Sequence, residues 1–323
     1  MNRIGVLTSG GDGPGMNAAV RAVVRTATRF EISVVAYIDG YQGLVAGRTR
    51  ELDDRAVGSQ IQRGGTFIGT SRCAEFLSRA GRARAAAQLQ SDSVEGLVVI
   101  GGDGSFRGAL AMREEHGTAI AGMPGTIDND VYGTDETIGF DTALNTAVEA
   151  IDRIRDTSEA TGTLFFVEIM GRGSGALAMQ VALAAGAAGV LVPEEQGETN
   201  ALVARLRGSI AAGKRSHIIV VAEGEEAGGA FTVAERLGPL LGCQYRVAIL
   251  GHIQRGGRPS ARDRIVASAT GARAVEGLAA GRTGFMAGMC GGQVVEVPLT
   301  EVVANAHAAP NMQMLYLAQS LAG

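Results

Sequence analysis

The chain has little with which to build a disulfide framework, a metal finger or a basic binding surface. Its three cysteines, Cys73, Cys243 and Cys290, are odd in number, far apart and without a CxxC spacing. Neither paired bridges nor a zinc site is therefore expected, and the thiols are read as reduced. Lys and Arg number 29 against 33 Asp and Glu, a formal net charge of -4. The basic excess that a nucleic-acid partner or an anionic membrane would require is absent, so neither partner is expected. No apolar run reaches 18 residues, and no basic-then-apolar leader with a cleavage site opens the sequence. Membrane spanning and export are not expected, and the cytoplasm is the expected compartment. What the chain does have is hydrophobic residue, 46% of 323, enough for two α/β lobes, and glycine, with 48 copies. The glycines gather at strand ends and follow no period, the distribution expected of loops that approach a ligand closely.

Hydrophobic periodicity gives a repeating strand, loop and helix. Arg3 to Thr8 reads as a short buried strand, Ser9 to Gly15 as a glycine-rich loop and Met16 to Phe30 as a helix. Pro14 has the fixed φ suited to a first helical turn. Glycines ahead of a helix N-terminus let backbone N–H groups approach phosphate oxygens, with Gly11 as the first contact. The loop matches neither GxGxxG nor GxxxxGK[ST], so a plain structural turn is the competing reading. Arg21 and Arg25, four apart on that helix, suit a solvated face or half of an anion site. Ser33 to Ile38 reads as a second strand, and Arg63 to Arg72 as a glycine-rich loop whose last arginine suits a phosphate contact. A helix over 79–90 leads into Gly96 to Ile100, a continuous apolar strand closed by Gly101-Gly102-Asp103-Gly104-Ser105. A carboxylate there sits where open α/β sheets bind ligands, and it suits Mg²⁺ held against polyphosphate.

Pro124-Gly125-Thr126-Ile127-Asp128-Asn129-Asp130 follows the next apolar run. With an extended backbone, Asp128 and Asp130 point the same way and share one reaction centre, one as base and one near a metal. The bland alternative is a polar turn, which Asp and Asn favour. The pattern then restarts. Asp141 to Asp156 is an amphipathic helix, and Leu164 to Ile169 is a buried strand ending in Met170-Gly171-Arg172-Gly173-Ser174-Gly175. Ala176 to Ala188 is a helix apolar on most sides, and His217 to Ala222 is a strand ending in Glu223-Gly224. The expected class is α/β, with two doubly wound, mostly parallel sheet lobes and the active site in the cleft between them. In Leu250 to Pro259, His252 and Arg255, with Arg246 and Arg258 near in sequence, suit a sugar-phosphate anchor as well as a basic surface turn. Arg262 to Ala280 reads as a helix, and the remainder as a strand and a closing helix.

Taken in order, GGDGPGMNAAVRA (10–22), GGDGS (101–105), PGTIDND (124–130), MGR (170–172) and GHIQRGG (251–257) run through nearly the whole chain, which resembles the bacterial-type 6-phosphofructokinases. The resemblance implies ATP-dependent phosphorylation of the 1-hydroxyl of fructose 6-phosphate, the committed step of glycolysis, with Mg²⁺ as cofactor. It also implies a homotetramer with active sites shared between subunits. The implied domains are a nucleotide-binding one, 1–139 and 254–303, and a sugar-phosphate-binding one, 140–253 and 304–323. By the family's motifs Asp128 would be the base, Asp103 would hold Mg²⁺ and Asp130 would assist. Gly11 and Arg72 would stabilise the moving phosphoryl group. Tyr41, Arg72, Cys73 and the stretch Gly102, Asp103, Gly104, Ser105 to Gly108 would line the nucleotide. Thr126, Ile127, Met170, Gly171, Arg172 and Glu223 would contact the sugar, with Thr126 and Arg172 also at the reaction centre. His252 and Arg255 would hold the 6-phosphate together with the partner subunit's Arg246.

Departures from the family pattern carry expectations of their own. Pyrophosphate-using relatives typically carry Asp at the position of Gly104 and Lys at that of Gly125, so ATP is the expected donor. A family arginine about ten residues before the MGR arginine, a second cross-subunit ligand for the sugar phosphate, is Thr163 here, which implies a weaker grip on that phosphate. At the effector site Arg21, Arg25, Arg155 and Lys214 match, whereas one family arginine is Asp54 and a metal-binding glutamate is Ala188. Control by ADP or phosphoenolpyruvate is therefore not expected. The competing readings are a pyrophosphate-dependent or other-sugar kinase of the same superfamily, and a noncatalytic nucleotide-binding paralogue. The last should have lost Asp103 or Asp128, and both are present.

Overall fold

Apolar strand runs separated by helices fold into two α/β units in the computed structural model, which describes residues 1–195, 199–224, 228–306 and 310–322. One unit comprises Met1–Thr142 and Arg255–Ala308, the other Ala143–Gln254 and Ala309–Gly323. The first begins with β1 (Arg3–Thr8), α1 (Met16–Arg29), β2 (Ser33–Tyr37), α2 (Tyr41–Ala46) and β3 (Thr49–Leu52). It continues through α3 (Arg79–Ser91), β4 (Gly96–Gly101), α4 (Asp103–His116) and β5 (Ile120–Pro124). Helix α5 (Phe140–Thr161) carries the chain into the second unit, built of β6 (Leu164–Ile169), α6 (Ala176–Ala184), β7 (Gly189–Leu191), α7 (Thr199–Ala211), β8 (His217–Ala222), α8 (Gly229–Leu241) and β9 (Tyr245–Ile249). The chain returns to the first unit for α9 (Ala261–Ala279), β10 (Phe285–Cys290), β11 (Gln293–Pro298) and α10 (Leu299–Ala304), and ends in the second with α11 (Met312–Leu321).

The first sheet has the order β11-β10-β5-β4-β1-β2-β3, with only the edge strands β3 and β11 antiparallel to their neighbours. Ile4, Val6, Val98 and Ile100 pack on one face with Val20 and Val23 of α1 and Val266 and Val275 of α9. Leu7, Val35, Leu97 and Val99 pack on the other with Leu44, Leu89, Phe106 and Met112. Because both faces are covered, the inner strands read as continuous apolar runs. Chain order reverses at β1, which has β2 on one side and β4 on the other. Open α/β sheets bind ligands at such a switch point, outside the carboxyl ends of the strands.

The second sheet has the order β7-β8-β6-β9 and is parallel throughout. Leu164, Phe166, Ile219 and Val221 pack with Leu202 and Leu206 of α7 and with Val233 and Leu237 of α8. Strand β6 lies between β8 and β9, so the loops that follow these three strands leave the sheet side by side. Among the described residues no helix is long and apolar enough to cross a membrane.

Candidate active site

In the first unit the loops after β1 and β5 are each hydrogen-bonded to the carboxyl end of β4. Ser9 N–H donates to the Ile100 carbonyl at 2.9 Å, and Gly125 N–H to the Gly101 carbonyl at 3.0 Å. Helices α1 and α4 begin after β1 and β4 with Gly15 and Gly102 as N-caps, and no side chain caps either. Elsewhere Ser78 and Ser260 cap α3 and α9, while the Glu194 and Glu168 carboxylates accept from Gly175 N–H and Ala230 N–H at the starts of α6 and α8. The two uncapped starts therefore offer backbone donors and a positive dipole end to an anion. Pro14 precedes the N-cap Gly15, so it shapes the turn ahead of α1 and is not in its first turn.

Asp103 stands in the first turn of α4, 8% exposed, and Asp128 is 4% exposed in the loop after β5. The extended path expected for Asp128 to Asp130 is broken at Asn129, whose φ of 49° is left-handed. Asp128 is consequently buried and Asp130 half-buried, and the two do not share one face of a strand. The Asn129 amide holds the turn: Oδ1 accepts from Thr137 N–H at 2.9 Å and Nδ2 donates to the Asp135 carbonyl at 3.1 Å. Thr137 Oγ1 donates to the Thr126 carbonyl at 2.7 Å, and Thr126 Oγ1 accepts from Asp128 N–H at 3.2 Å. Sequence reasoning gave Asn129 no part, although an Asn between two acids is one of the few non-glycine residues at ease with positive φ.

Arg255 is 8% exposed and donates from Nη1 to the Asp12 carbonyl at 3.0 Å. A Cβ on Gly11 would lie 3.0 Å from its Cζ, so the arginine rests on the glycine loop. Arg72 is exposed, on a segment tied to the same loop by Thr70 Oγ1, which donates to the Gly10 carbonyl at 2.9 Å, and by Thr8 Oγ1, which donates to the Gly69 carbonyl at 2.7 Å. Asn17 of α1, also missed in the sequence, accepts from Phe67 N–H at 2.7 Å and donates to the Gly64 carbonyl at 2.9 Å. Its signal was a polar residue on a buried helix face. Tyr41 is buried, stacked on Phe76 with ring centroids 3.8 Å apart, and its hydroxyl donates to the Ser105 carbonyl at 2.8 Å. Burial pushes that phenol well above its ordinary range. Tyr41 thus supports the Ser105 backbone from below, with half-buried Cys73 packed against the same cluster.

In the second unit Met170, Gly171 and Arg172 follow β6, and Glu223 follows the adjacent β8. Glu223 Oε2 accepts from Gly171 N–H and from Arg172 N–H, each at 3.2 Å, and Arg172 has a left-handed φ of 54°. Gln254, fully buried and unassigned in the sequence, accepts from Met170 N–H at 3.0 Å. His252 is exposed in a 3-10 turn after β9. Arg246 is exposed on β9 in register with Phe165, four residues from the carboxyl end of β6, or about 13 Å at the rise of a strand. This chain does not bring its own Arg246 to the Met170–Arg172 loop. Thr163 is at the same amino end of the sheet, 5% exposed, with Oγ1 at 2.9 Å from Thr161 Oγ1.

A family model described as Phosphofructokinase matches residues 3–278. The chain belongs to the phosphofructokinase family. Over 322 residues and the full length of both proteins it is 52% identical to ATP-dependent 6-phosphofructokinase 1 of Thermus thermophilus. It is 50% identical over 309 residues, 96% of each chain, to the ATP-dependent 6-phosphofructokinase of Lysinibacillus sphaericus. Among solved structures, the phosphofructokinase of Saccharomyces cerevisiae superposes with a TM-score of 0.89 at 35% identity, covering 100% of this chain and 48% of that one. A pyrophosphate-dependent phosphofructokinase of Nitrosospira multiformis superposes with a TM-score of 0.84 at 22% identity, covering 100% and 92%, and at that identity shows the shared fold.

Within this phosphofructokinase chain the two glycines expected to decide the donor differ in their surroundings. A Cβ on Gly104 would meet nothing within 4 Å, whereas one on Gly125 would lie 2.9 Å from Ile100 Cγ2 and 3.4 Å from Met16 Cε. Gly125 is thus required by core packing, and only Gly104 borders open space. Two of the four residues expected at an effector site are engaged by neighbours in the fold. Arg25 pairs with Asp54 at 3.1 Å and donates to its carbonyl at 3.1 Å. Arg155 donates to the Ala185 and Gly186 carbonyls at the end of α6. Lys214 is exposed, and Arg21 is half-buried on α1.

Proposed function

We propose that this protein transfers the γ-phosphoryl group of ATP to the 1-hydroxyl of fructose 6-phosphate. The observation that carries this is the set of carboxyl-end loops of β1, β4 and β5, those after β1 and β5 each hydrogen-bonded to the end of β4, which bear Gly11, Asp103 and Asp128 between two uncapped helix starts. In this reading Asp128 accepts the hydroxyl proton as the oxygen attacks phosphorus, and ADP leaves as the bridging P–O bond breaks. Backbone N–H of Gly11 and the guanidinium of Arg72 meet the charge on the transferring oxygens. Asp103 is an oxygen donor suited to Mg²⁺. Among the described residues no group of three or more His, Cys, Asp or Glu could hold a metal, so the cation would rely on phosphate oxygens as further ligands. Bound there, Mg²⁺ supplies charge neutralisation. Thr126, Met170, Gly171, Arg172 and Glu223 contact the sugar, His252 and Arg255 serve its phosphate, and Ser105, Gly108, Tyr41 and Cys73 form the nucleotide side. ATP is favoured over pyrophosphate because Gly104 leaves the donor side open. A cytoplasmic homotetramer is the working assembly, in which the partner subunit's Arg246 completes the phosphate grip.

One coupled assay tests this: ATP or pyrophosphate against fructose 6-phosphate or sedoheptulose 7-phosphate, with Mg²⁺ throughout. ATP with fructose 6-phosphate is expected to give the highest kcat/KM, and a higher value for either other substrate would replace that part of the assignment. In this assembly Thr163→Arg, reaching across the subunit boundary, is expected to lower the KM for fructose 6-phosphate about ten- to a hundredfold, the worth of one charged hydrogen bond of about 1.5 to 3 kcal/mol, with kcat little changed. A KM left where it was would show that the missing arginine does not limit the grip. Because Arg25 is already paired with Asp54 and Arg155 with helix-end carbonyls, Arg21→Ala combined with Arg25→Ala should leave steady-state kinetics within about twofold, with or without ADP or phosphoenolpyruvate. Loss of an effector response in that double variant would reveal a working regulatory site.

A further inference from the structure

We propose that Asp263 is a positioning residue that keeps the base loop, 125–139, in register with the arginine loop, 255–260. It stands in the first turn of α9 and is 1% exposed. Its Oδ1 accepts from Gly139 N–H at 2.8 Å, and its Oδ2 accepts from Thr142 N–H at 2.8 Å and from the Thr142 hydroxyl. Those N–H groups belong to the start of α5. That helix is therefore capped by a carboxylate 121 residues beyond Thr142, in charge-assisted bonds aligned with its dipole. A return link runs the other way, because Ser260 N–H donates to Thr142 Oγ1 at 2.9 Å while Ser260 Oγ accepts from Asp263 N–H at 3.2 Å. The starts of α5 and α9 are thus joined through one four-residue network, in which Gly139, Thr142 and Asp263 are buried and Ser260 is half-buried.

Each helix continues directly from a loop with a proposed reacting or binding group. Helix α5 follows the loop of Asp128, and α9 follows the loop of Arg255. The glycine loop closes on the same point: a Cβ on Gly15 would lie 3.5 Å from Asp263 Cβ, and one on Gly139 would lie 3.1 Å from the Pro14 carbonyl. Burial of the carboxylate opposes its charged form and raises its pKa despite the hydrogen bonds from Thr142 and Gly139. Burying a charge is a poor route to stability, so the join contributes geometry more than stability. On the basis of the phosphotransfer reading, the network sets where Asp128 stands relative to Gly11 and Arg255.

Asp263→Asn places an amide N–H against a backbone N–H donor, and Thr142→Val removes the hydroxyl bridge while keeping the shape. For either variant, kcat per folded molecule is expected to fall about 10- to 100-fold with both KM values within about threefold, the effect of shifting a reacting group by roughly 1 Å. Thr142→Ser should restore kcat. Amide hydrogen exchange at Gly139 and Thr142, measured without substrate, should rise in Asp263→Asn. If Asp263→Asn does not fold, Thr142→Val carries the same comparison. An unchanged kcat in a folded variant, or a KM rise with kcat intact, overturns the proposal. If the wild-type protein itself does not phosphorylate fructose 6-phosphate with ATP, the function reading fails, while unchanged exchange at Gly139 and Thr142 would remove the network by itself.

Discussion

Asp128→Asn is expected to lower kcat by about 10²- to 10⁴-fold with the KM for fructose 6-phosphate within a few-fold, the signature of losing a group that acts only as the proton moves. The loop holds its shape through the Asp128 backbone N–H on Thr126 Oγ1 and through the Asn129 amide, and both survive the substitution. Asn matches Asp in size at this buried position, so melting temperature should change little. It cannot take a proton from the sugar hydroxyl, and that is the difference the rate reads. Steady-state assay beside a thermal melt separates the two. A kcat loss under about tenfold in a folded variant would give the base to another group.

Gly11→Ala is the second large effect, expected at about 100-fold in kcat/KM, the scale of a misplaced donor in a site that stabilises developing charge. The new methyl group would have to displace the Arg255 guanidinium, which is buried and bonded to the Asp12 carbonyl. Either the arginine gives up that bond or the glycine loop moves and takes the Gly11 N–H with it. A double-mutant cycle distinguishes this from a general loss. In an Arg255→Ala background, Gly11→Ala should cost much less, and effects that simply add within about 0.5 kcal/mol would show the two residues to be uncoupled.

Much of this architecture was legible in the chain. The spans of β1, β6 and β8 follow from apolar runs and agree with the folded strands residue for residue, and helices α3 and α9 agree within one residue at each end. The strands are buried along almost their whole length and the helices along one face, and burial is what periodicity records. The short edge strand β3, Thr-Arg-Glu-Leu with three exposed residues, left no such trace, and neither did β9, whose residues are exposed or half-buried. In the candidate site the loops themselves were readable because glycines cluster there. The supports were not. Asn17, Asn129 and Asp263 hold backbone groups of other segments or close a turn, and polar residues of that kind look like any helix face or loop until their partners are placed.

The α/β class, the buried strands and the glycine-rich loops at their ends are set by local chemistry along the chain: apolar runs that must be covered and backbone that must turn tightly. Tertiary structure alone decided which of those loops are neighbours. Strand order brings the loops after β1, β4 and β5 together, and it brings Arg255 onto a carbonyl 243 residues away. It also decided the turn at Asn129 that buries Asp128 and leaves Asp130 half-exposed, and the reason for Gly125, which lies in contact with Ile100 and Met16. Periodicity states that a residue is covered, and only the packed fold states by what.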